Sequence, residues 1–394
     1  MKIGINCLKV NPNYQGGVNT YVHGLIQGLI KTSPNDQIVL FVHKRNRRIF
    51  NQYCSSQRVS IVEMAYRNAI HTRLLNRIIV LLFSYRVFRV YNRYKFGNIA
   101  QSISKSCDVI YSPSATNFPY YYSIPSVVSL HDLLHLNYPS HFTFTNRKFR
   151  GVTYRLTVET AHLIQASSVY IKNDILANYK KIQPEDIEVI SEGVDLEYFK
   201  FNNYQSNKNN IQLPEKYLLY PAQAWKHKNH INLFMALRIL KDEYNINIPL
   251  ILTGALTQNS AQAIIQFIEK NHDLEITHLG LVEKDYLKHL YKQATYLILP
   301  TYHESSSLPI YEAMACGTPI IAANIPAISE MSEVFEINLF DPTNPERIAQ
   351  VIRSMWKANS TVDHQVIHNS KIIEDYSWDN IARKYTAVFK KVCL

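Results

Sequence analysis

Glycine, cysteine and long apolar runs are all scarce in this sequence. Its 394 residues include only 11 glycines, which excludes collagen-like and glycine-rich low-complexity proteins. The five cysteines are scattered and form no C-x-x-C pair, so we expect a reducing, cytoplasmic setting without a disulfide framework or a cysteine-based zinc site. In the most hydrophobic region the longest apolar run is Ile78–Phe83, whereas a membrane-spanning helix needs about 20 residues. The sequence therefore predicts neither a signal peptide nor a transmembrane segment.

Positive charge is concentrated in the first half of the chain. Residues 1–195 carry 23 lysines and arginines against 11 acidic residues, whereas residues 196–394 carry 19 against 20. The segment 66–95 contains seven cations and no acidic residue, interleaved with large apolar residues. Such a segment is typical of contact with an anionic membrane surface. The alternative is a helical hairpin that packs its apolar side on its own domain.

The alternation of strand and helix patterns predicts a parallel sheet in each half of the chain. The strands expected first are Lys2–Asn6, Ile38–Val42, Asp108–Tyr111, Ser126–Ser129, Val169–Ile171 and Glu188–Ile190, with helices after Gly16-Gly17 and over Arg147–Ala166. The strands expected later are Tyr217–Tyr220, Pro249–Thr253, Glu275–Leu279, Tyr296–Leu299 and Pro319–Ala322, with helices Ile231–Glu243, Ala261–Asn271, Lys284–Ala294, Leu308–Ala315, Pro345–Ala358 and Trp378–Val392.

These patterns indicate two doubly wound, Rossmann-like α/β domains that face a cleft. We predict an N-terminal domain over residues 1–200 and a C-terminal domain over 201–377, with a polar linker at 201–210 and the last helix, 378–394, packed back on the first domain. Neither G-x-G-x-x-G nor a P-loop lysine motif occurs, which removes the main support for a dehydrogenase or a P-loop NTPase.

The strongest chemical signal is the segment that runs from Glu304 to Pro319. It places Glu304 in a loop after a predicted strand and Glu312 inside the following helix. The N–H groups and positive dipole end of that helix would face the loop, which favours a diphosphate there. A carboxylate beside a phosphate would repel it, so both glutamates are expected to bind sugar or ribose hydroxyls.

This segment resembles the motif E-x-F-G-L-P-x-x-E-A-M-A-x-G-x-P of the GT-B glycosyltransferases, in particular the retaining enzymes of glycosyltransferase family 4. It matches both glutamates, Leu308-Pro309, the stretch Glu312–Ala315, Gly317 and Pro319, but has Ser306-Ser307 where the family usually has Phe-Gly. The resemblance implies that Glu304 contacts the donor sugar, that Glu312 binds the ribose, and that backbone amides around Ser306, Ser307 and Leu308 hold the sugar and the diphosphate.

Other segments resemble the same family in order and spacing. Gly16-Gly17 is similar to the N-terminal glycine loop that approaches the diphosphate, and His131-Asp132-Leu133 to the segment with the active-site histidine. Lys228 matches the family's phosphate-binding lysine, and Leu281 with Val282 takes the position that contacts the base. Further matches are the segment 191–195, with Glu192 in place of asparagine, and the late loop Phe340–Glu346.

One departure concerns the diphosphate directly. Where the family usually has an arginine, this sequence has Ala222, so another cation must take its place, and Lys226 is the nearest candidate. Trp225, His227 and Asn229 belong to the same loop and are further candidates to line the site.

The resemblance implies a retaining glycosyltransferase that moves a sugar from a nucleoside diphosphate sugar to an acceptor. No D-x-D pair occurs, so we expect no metal and no other cofactor. The basic first half favours a lipid-linked bacterial glycan acceptor, as in O-antigen, capsule or exopolysaccharide synthesis, and a peripheral place on the inner face of the cytoplasmic membrane. GDP-mannose is the donor that the 225–230 loop suggests, with UDP- and dTDP-sugars left open. The alternatives are a GT-B nucleotide-sugar 2-epimerase, a catalytically dead scaffold and, without a supporting motif, a nucleic-acid-binding protein.

Overall fold

The protein consists of two compact units, each built around a parallel sheet. Our computed structural model describes residues 1–12, 17–64, 70–82, 85–200, 212–256, 260–357 and 361–394. Unit 1 comprises Met1–Gly193 with Trp378–Leu394, and unit 2 comprises Val194–Ser377. The predicted class, two doubly wound α/β domains, is confirmed. The predicted linker 201–210 and Gly16 lie outside the described residues.

The sheet of unit 1 has seven described strands in the order β3-β2-β1-β4-β5-β6-β7, paired in parallel. Its inner strands are buried along almost their whole length because helices cover both faces of such a sheet. The strands are β1 Lys2–Asn6, β2 Gln37–Val42, β3 Val59–Glu63, β4 Val109–Ser112, β5 Ser126–Ser129, β6 Leu163–Ala166 and β7 Ile187–Val189.

Helices connect these strands. They are α1 Gly17–Thr32, α2 Arg47–Phe50, α3 Ile70–Leu82, α4 Tyr85–Ser104, α5 Leu134–Asn137, α6 Phe144–Thr160 and α7 Val169–Asn178. The C-terminal helix, Trp378–Cys393, packs against α1 within the same unit. A Cβ atom at Gly24 or Gly193 would overlap the Trp378 ring, so both positions require glycine for this packing.

Unit 2 contains a parallel sheet whose six described strands have the order β10-β9-β8-β11-β12-β13. Its strands are β8 Leu218–Pro221, β9 Leu250–Thr253, β10 Ile276–His278, β11 Tyr296–Leu299, β12 Ile320–Ala323 and β13 Asn338–Phe340. Its helices are α8 Leu196–Lys200, α9 His230–Tyr244, α10 Ala261–Lys270, α11 Lys284–Gln293, α12 Leu308–Cys316, α13 Pro326–Ser332, α14 Pro345–Lys357 and α15 Thr361–Ile372.

One predicted strand is wrong. Val169–Ile171 forms the first turn of α7, where the Ser168 hydroxyl caps the helix by accepting from the Ile171 N–H at 3.3 Å. The strand at this place is β6, which the prediction had included in the helix Arg147–Ala166. Short apolar runs fit either structure, and pairing with β5 and β7 decided this one.

Candidate functional site

Both sheets reverse their strand order at one point, and unit 2 does so beside β8. This strand pairs with β9 on one side and with β11 on the other. Ligands of doubly wound sheets bind beyond the carboxyl ends of the strands at such a switch point. Two loops meet there, residues 222–229 after β8 and residues 300–307 after β11, which we call the switch-point loops. The Tyr302 N–H donates to the His227 carbonyl at 2.7 Å, so the two loops are in direct contact.

The switch-point loops bring Lys228 and Glu304 together. The ammonium Nζ of Lys228 donates to Oε1 of Glu304 at 2.6 Å, and the two side chains are 20% and 12% exposed. The sequence predicted the lysine for phosphate and the glutamate for a sugar hydroxyl. In the structure the Lys228 ammonium and the Glu304 carboxylate, the groups expected to bind phosphate and sugar, lie side by side.

The backbone around Lys228 is held by its neighbours. Residues Lys226–Lys228 form a single 3-10 turn, and the hydroxyl of the buried Tyr220 donates to the Lys228 carbonyl at 2.6 Å. The indole ring of Trp225 is 39% exposed and lies nearly parallel to the His227 ring. Lys226 is exposed to solvent, so Lys228 is the more enclosed of the two predicted phosphate cations.

Helix α12 begins at the second switch-point loop. Ser306, Ser307 and Leu308 are all buried at its start. Ser307 is the N-cap residue, but its hydroxyl makes no capping bond, and its buried Oγ has no hydrogen-bond partner. The first N–H groups of a helix have no partner inside it, and the dipole adds positive potential there. This end of α12 can therefore receive an anion, as the resemblance implied.

Glu312 lies one turn further along α12, in an environment unlike that of Glu304. The Tyr291 hydroxyl of α11 donates to its Oε2 at 2.9 Å. Burial raises the pKa of Glu312 to about 7, although the Tyr291 hydrogen bond and the charge of Lys284 act in the opposite direction. Near neutral pH this carboxyl can accept hydrogen bonds as an anion or exist in its protonated form.

Ala222 is confined by the loop that follows β9. Its N–H donates to the Thr253 carbonyl at 3.1 Å, and a Cβ atom on Gly254 would lie 2.5 Å from the Ala222 carbonyl oxygen. Gly254 also has φ +116°, which a residue with a side chain rarely adopts. The Gly254 N–H donates to the Gly280 carbonyl at 2.8 Å, which ties this loop to the segment before Leu281 and Val282. The Leu281 side chain is 58% exposed there, whereas Val282 packs against the core.

In unit 1, His131 follows β5 as predicted. Its Nε2 donates to the Pro113 carbonyl at 2.8 Å, and the Tyr21 ring of α1 packs edge-on against it at 5.4 Å between centroids. Burial lowers the pKa of His131 below its ordinary value, which favours the neutral ring. Because Nε2 carries the proton for Pro113, Nδ1 is the acceptor nitrogen. Gly17 is the first residue of α1.

Sequence reasoning missed several polar groups that place these residues. Tyr291 binds Glu312, Tyr220 binds the Lys228 carbonyl, and Arg150 pairs with Asp132 at 3.1 Å beside His131. The Tyr291 and Arg150 partners are separated by 21 and 18 positions in the chain. No local pattern carries a signal for such pairs.

Known proteins resemble this chain over both units. A family model described as glycosyl transferases group 1 matches residues 202–388, and one described as glycosyltransferase family 4 matches residues 15–198. An uncharacterized glycosyltransferase of Methanocaldococcus jannaschii is 26% identical over 281 residues, which are 68% of this chain and 69% of that protein. O-antigen chain mannosyltransferase B of Escherichia coli is 27% identical over 176 residues, 44% of this chain and 45% of that protein. The chain thus matches less than half the length of that mannosyltransferase.

A solved structure shares the fold along the whole chain. The crystal structure of HepE from Anabaena in complex with UDP and glucose superposes with a TM-score of 0.72. It covers 99% of this chain and 100% of its own, at 18% sequence identity.

Proposed function

Because the chain belongs to glycosyltransferase family 4, we propose that it moves a sugar from a nucleoside diphosphate sugar to a bacterial glycan acceptor with retention of configuration. One observation carries the proposal: Lys228 and Glu304 lie side by side at the switch point of unit 2. The cation suits the departing diphosphate and the carboxylate suits a sugar hydroxyl. Helix α12 adds N–H donors for the diphosphate at its first turn.

The reaction exchanges one bond at the anomeric carbon for another. The bond from that carbon to the diphosphate oxygen breaks, and the acceptor oxygen forms the new bond on the same face of the sugar. The acceptor proton passes to the departing phosphate. Lys228 and the start of α12 stabilise the charge that develops on the leaving group. Glu304 binds a sugar hydroxyl, and His131 orients the sugar or stabilises charge, with Nδ1 as its acceptor nitrogen.

We propose that no divalent metal is needed. The sequence has no D-x-D pair, and within the described ranges no group of three or more His, Cys, Asp or Glu is arranged to hold a metal ion. The positive groups at the switch point would neutralise the diphosphate in its place. The mannosyltransferase relative supports GDP-mannose as the donor. Because the solved structure with the same fold holds UDP, UDP-sugars are to be tested as well.

Thermal unfolding with nucleotides tests the proposal. We expect one of GDP, UDP, dTDP, ADP and CMP, or a matching nucleotide sugar, to raise the unfolding midpoint equally with Mg²⁺ and with EDTA. A ligand at about 100 times its dissociation constant adds about 2.7 kcal/mol to the free energy of unfolding. Product analysis without an acceptor then separates transfer from 2-epimerisation. If no nucleotide stabilises the protein, the proposal fails and Ala222 favours a catalytically dead scaffold.

For the acceptor, we propose a lipid-linked glycan that the protein meets at an anionic membrane surface. The support for this proposal comes from helices α3 and α4. Among the described helices none is long and apolar enough to span a membrane. One side of α3 and α4 packs into the core of unit 1, including Ile79, Val80, Phe88 and Phe96. Large apolar side chains are nevertheless exposed on both helices, namely Leu74, Leu75, Ile78, Leu82, Val87, Val90 and Tyr94.

Basic and apolar side chains occupy separate strips on the exposed side of α4. At about 100° per residue, the exposed positions of α4 span an arc of roughly 240°, and three basic and three apolar side chains share about 160° of it. Arg86, Arg89 and Arg93 fill one half of this shared part, and Val87, Val90 and Tyr94 fill the other. Adjacent basic and apolar strips fit the headgroup and acyl zones of an anionic bilayer.

Vesicle binding tests the membrane proposal. We expect the wild-type protein to sediment with phosphatidylglycerol-containing vesicles, and to be released by high salt or by the triple substitution R86E/R89E/R93E, since both weaken attraction to anionic lipid. The control K270E/K384E/K390E makes the same change in net charge at exposed positions elsewhere and should still bind. Vesicle binding that changes neither with salt nor with the triple substitution would contradict a membrane role for α4.

A further inference from the structure

Asn229 has an uncommon backbone conformation beside the switch point. It follows Lys228 directly and is the N-cap residue of α9, with φ +57° and only 6% of its surface exposed. This left-handed region is energetically unfavourable for residues other than glycine, and asparagine and aspartate tolerate it best among them. The chain therefore turns sharply into α9 immediately after the predicted phosphate ligand.

The Asn229 side chain connects three loops. Its Nδ2 donates to the Pro300 carbonyl at 2.8 Å and to the Pro342 carbonyl at 2.8 Å. Pro300 opens the switch-point loop that carries Glu304, and Pro342 lies in the loop after β13. Asn232, in the first turn of α9, donates to the same Pro342 carbonyl at 3.0 Å. Asn229 thus adds a buried side-chain bond between the Lys228 loop and the backbone before Glu304, beside the bonds that the Tyr302 N–H and the Thr301 hydroxyl donate to the His227 carbonyl.

Position 229 requires two properties of one residue, a left-handed backbone conformation and a side-chain N–H donor. Glycine would adopt the backbone angle but has no side chain to donate hydrogen bonds. Aspartate would also tolerate the angle, but its ionised carboxylate cannot donate and would face two carbonyl oxygens. Among residues that tolerate left-handed backbone, asparagine supplies two N–H bonds from one nitrogen.

We propose that Asn229 is a positioning residue for the reaction: it fixes the separation of Lys228 and Glu304 by holding their two loops together. This inference rests on the proposed function. Misplacing a group by about 1 Å can cost about 100-fold in rate, so the buried bond to the Pro300 carbonyl, which joins the two loops, is kinetically important. The bond to the Pro342 carbonyl holds the same amide in place from the loop after β13. Asn229 itself touches no substrate in this proposal.

A matched pair of substitutions tests it. Asn245 ends α9 with nearly the same angle, φ +55°, and its backbone N–H closes the last turn. N229G and N245G therefore make the same chemical change in the same backbone conformation at opposite ends of one helix. For both variants, calorimetry would give the affinity for GDP-mannose and UDP-glucose, and assays of whichever donor is used would give kcat and KM, all well below the unfolding midpoint.

We expect N229G to lower kcat/KM about tenfold or more, while N245G stays within about twofold of the wild type. A purely structural role predicts something else: N229G would lower the unfolding midpoint, yet the folded enzyme would keep its kcat/KM. That result would overturn the inference.

A double-mutant cycle with K228M adds a second readout. If Asn229 acts by placing Lys228, N229G should cost less than about twofold in the K228M background, because the group that it places is gone. Penalties that simply multiply would contradict the proposal. If the wild-type protein binds neither nucleotide sugar, the proposed function itself fails and the inference falls with it, which is distinct from a wild type that binds and an N229G variant that is unimpaired.

Discussion

Replacing Lys228 with methionine is expected to lower kcat/KM for sugar transfer by about 100- to 1,000-fold. Methionine is close to lysine in length but lacks the charge that, in the proposed function, faces the departing diphosphate. Losing one positioned group that stabilises developing charge typically costs this much. Glu304 would also lose its partner at 2.6 Å and would repel the diphosphate. Steady-state kinetics with the donor found by thermal unfolding would measure the loss.

Two companion variants make the Lys228 result specific. Lys216 is exposed and precedes β8, at the opposite end of the strand from the switch-point loops, so K216M should leave kcat/KM unchanged. The double variant K228M/E304Q removes the uncompensated carboxylate and should regain stability without regaining activity. A K228M enzyme within threefold of the wild type would show that Lys228 does not hold the diphosphate.

Replacing Glu312 with glutamine should change how the stability of the protein depends on pH. An ordinary glutamate has a pKa near 4.3, whereas burial raises that of Glu312 to about 7 in the folded chain. Between these values the folded chain holds a proton that the unfolded chain has lost, so the free energy of unfolding falls as pH rises. We expect E312Q to gain on the order of 2–3 kcal/mol relative to wild type between pH 5 and pH 8. Denaturant unfolding at both pH values would measure this difference.

The same titration should appear in donor binding. A carboxylate makes stronger hydrogen bonds to ribose hydroxyls than its protonated form does. The affinity of the wild type for its nucleotide sugar should therefore rise as pH passes about 7, while that of E312Q stays flat and about tenfold weaker at pH 8. A nucleotide sugar is the right probe because a free nucleoside diphosphate carries a terminal phosphate that titrates near the same pH.

The exposed Glu283 provides the control for both measurements. It lies outside the buried part of α11, as the residue before that helix, and E283Q should change neither profile between pH 5 and pH 8. If E283Q behaves as E312Q does, or if E312Q retains the wild-type pH dependence, then the buried carboxyl at position 312 is not the group that titrates.

The sequence alone indicated two α/β units with parallel sheets, and most of the described strands lie at or near the predicted positions. The strands β1, β5 and β11 have the bounds that their apolar runs predicted, because each is short, buried and flanked by turn residues. Besides β6, the prediction omitted β3 and β13. Strand β3 is only partly buried, and β13 has three residues, so neither produces a strong local pattern. Their pairing with β2 and β12 over long distances in the chain makes them strands.

The candidate site divides in the same way. The segment from Glu304 to Pro319 was enough to predict a nucleotide-sugar site, because its residues and their resemblance to the family motif lie in one loop and one helix. Tertiary structure decided everything that depends on pairs: the contact of Lys228 with Glu304 across 76 positions, the Tyr291 hydroxyl on Glu312, and the amide of Asn229 between two carbonyls. A local sequence pattern records what each residue prefers by itself. Which charges meet, and which carboxyl is buried enough to change its pKa, depends on segments that only the folded sheet brings together.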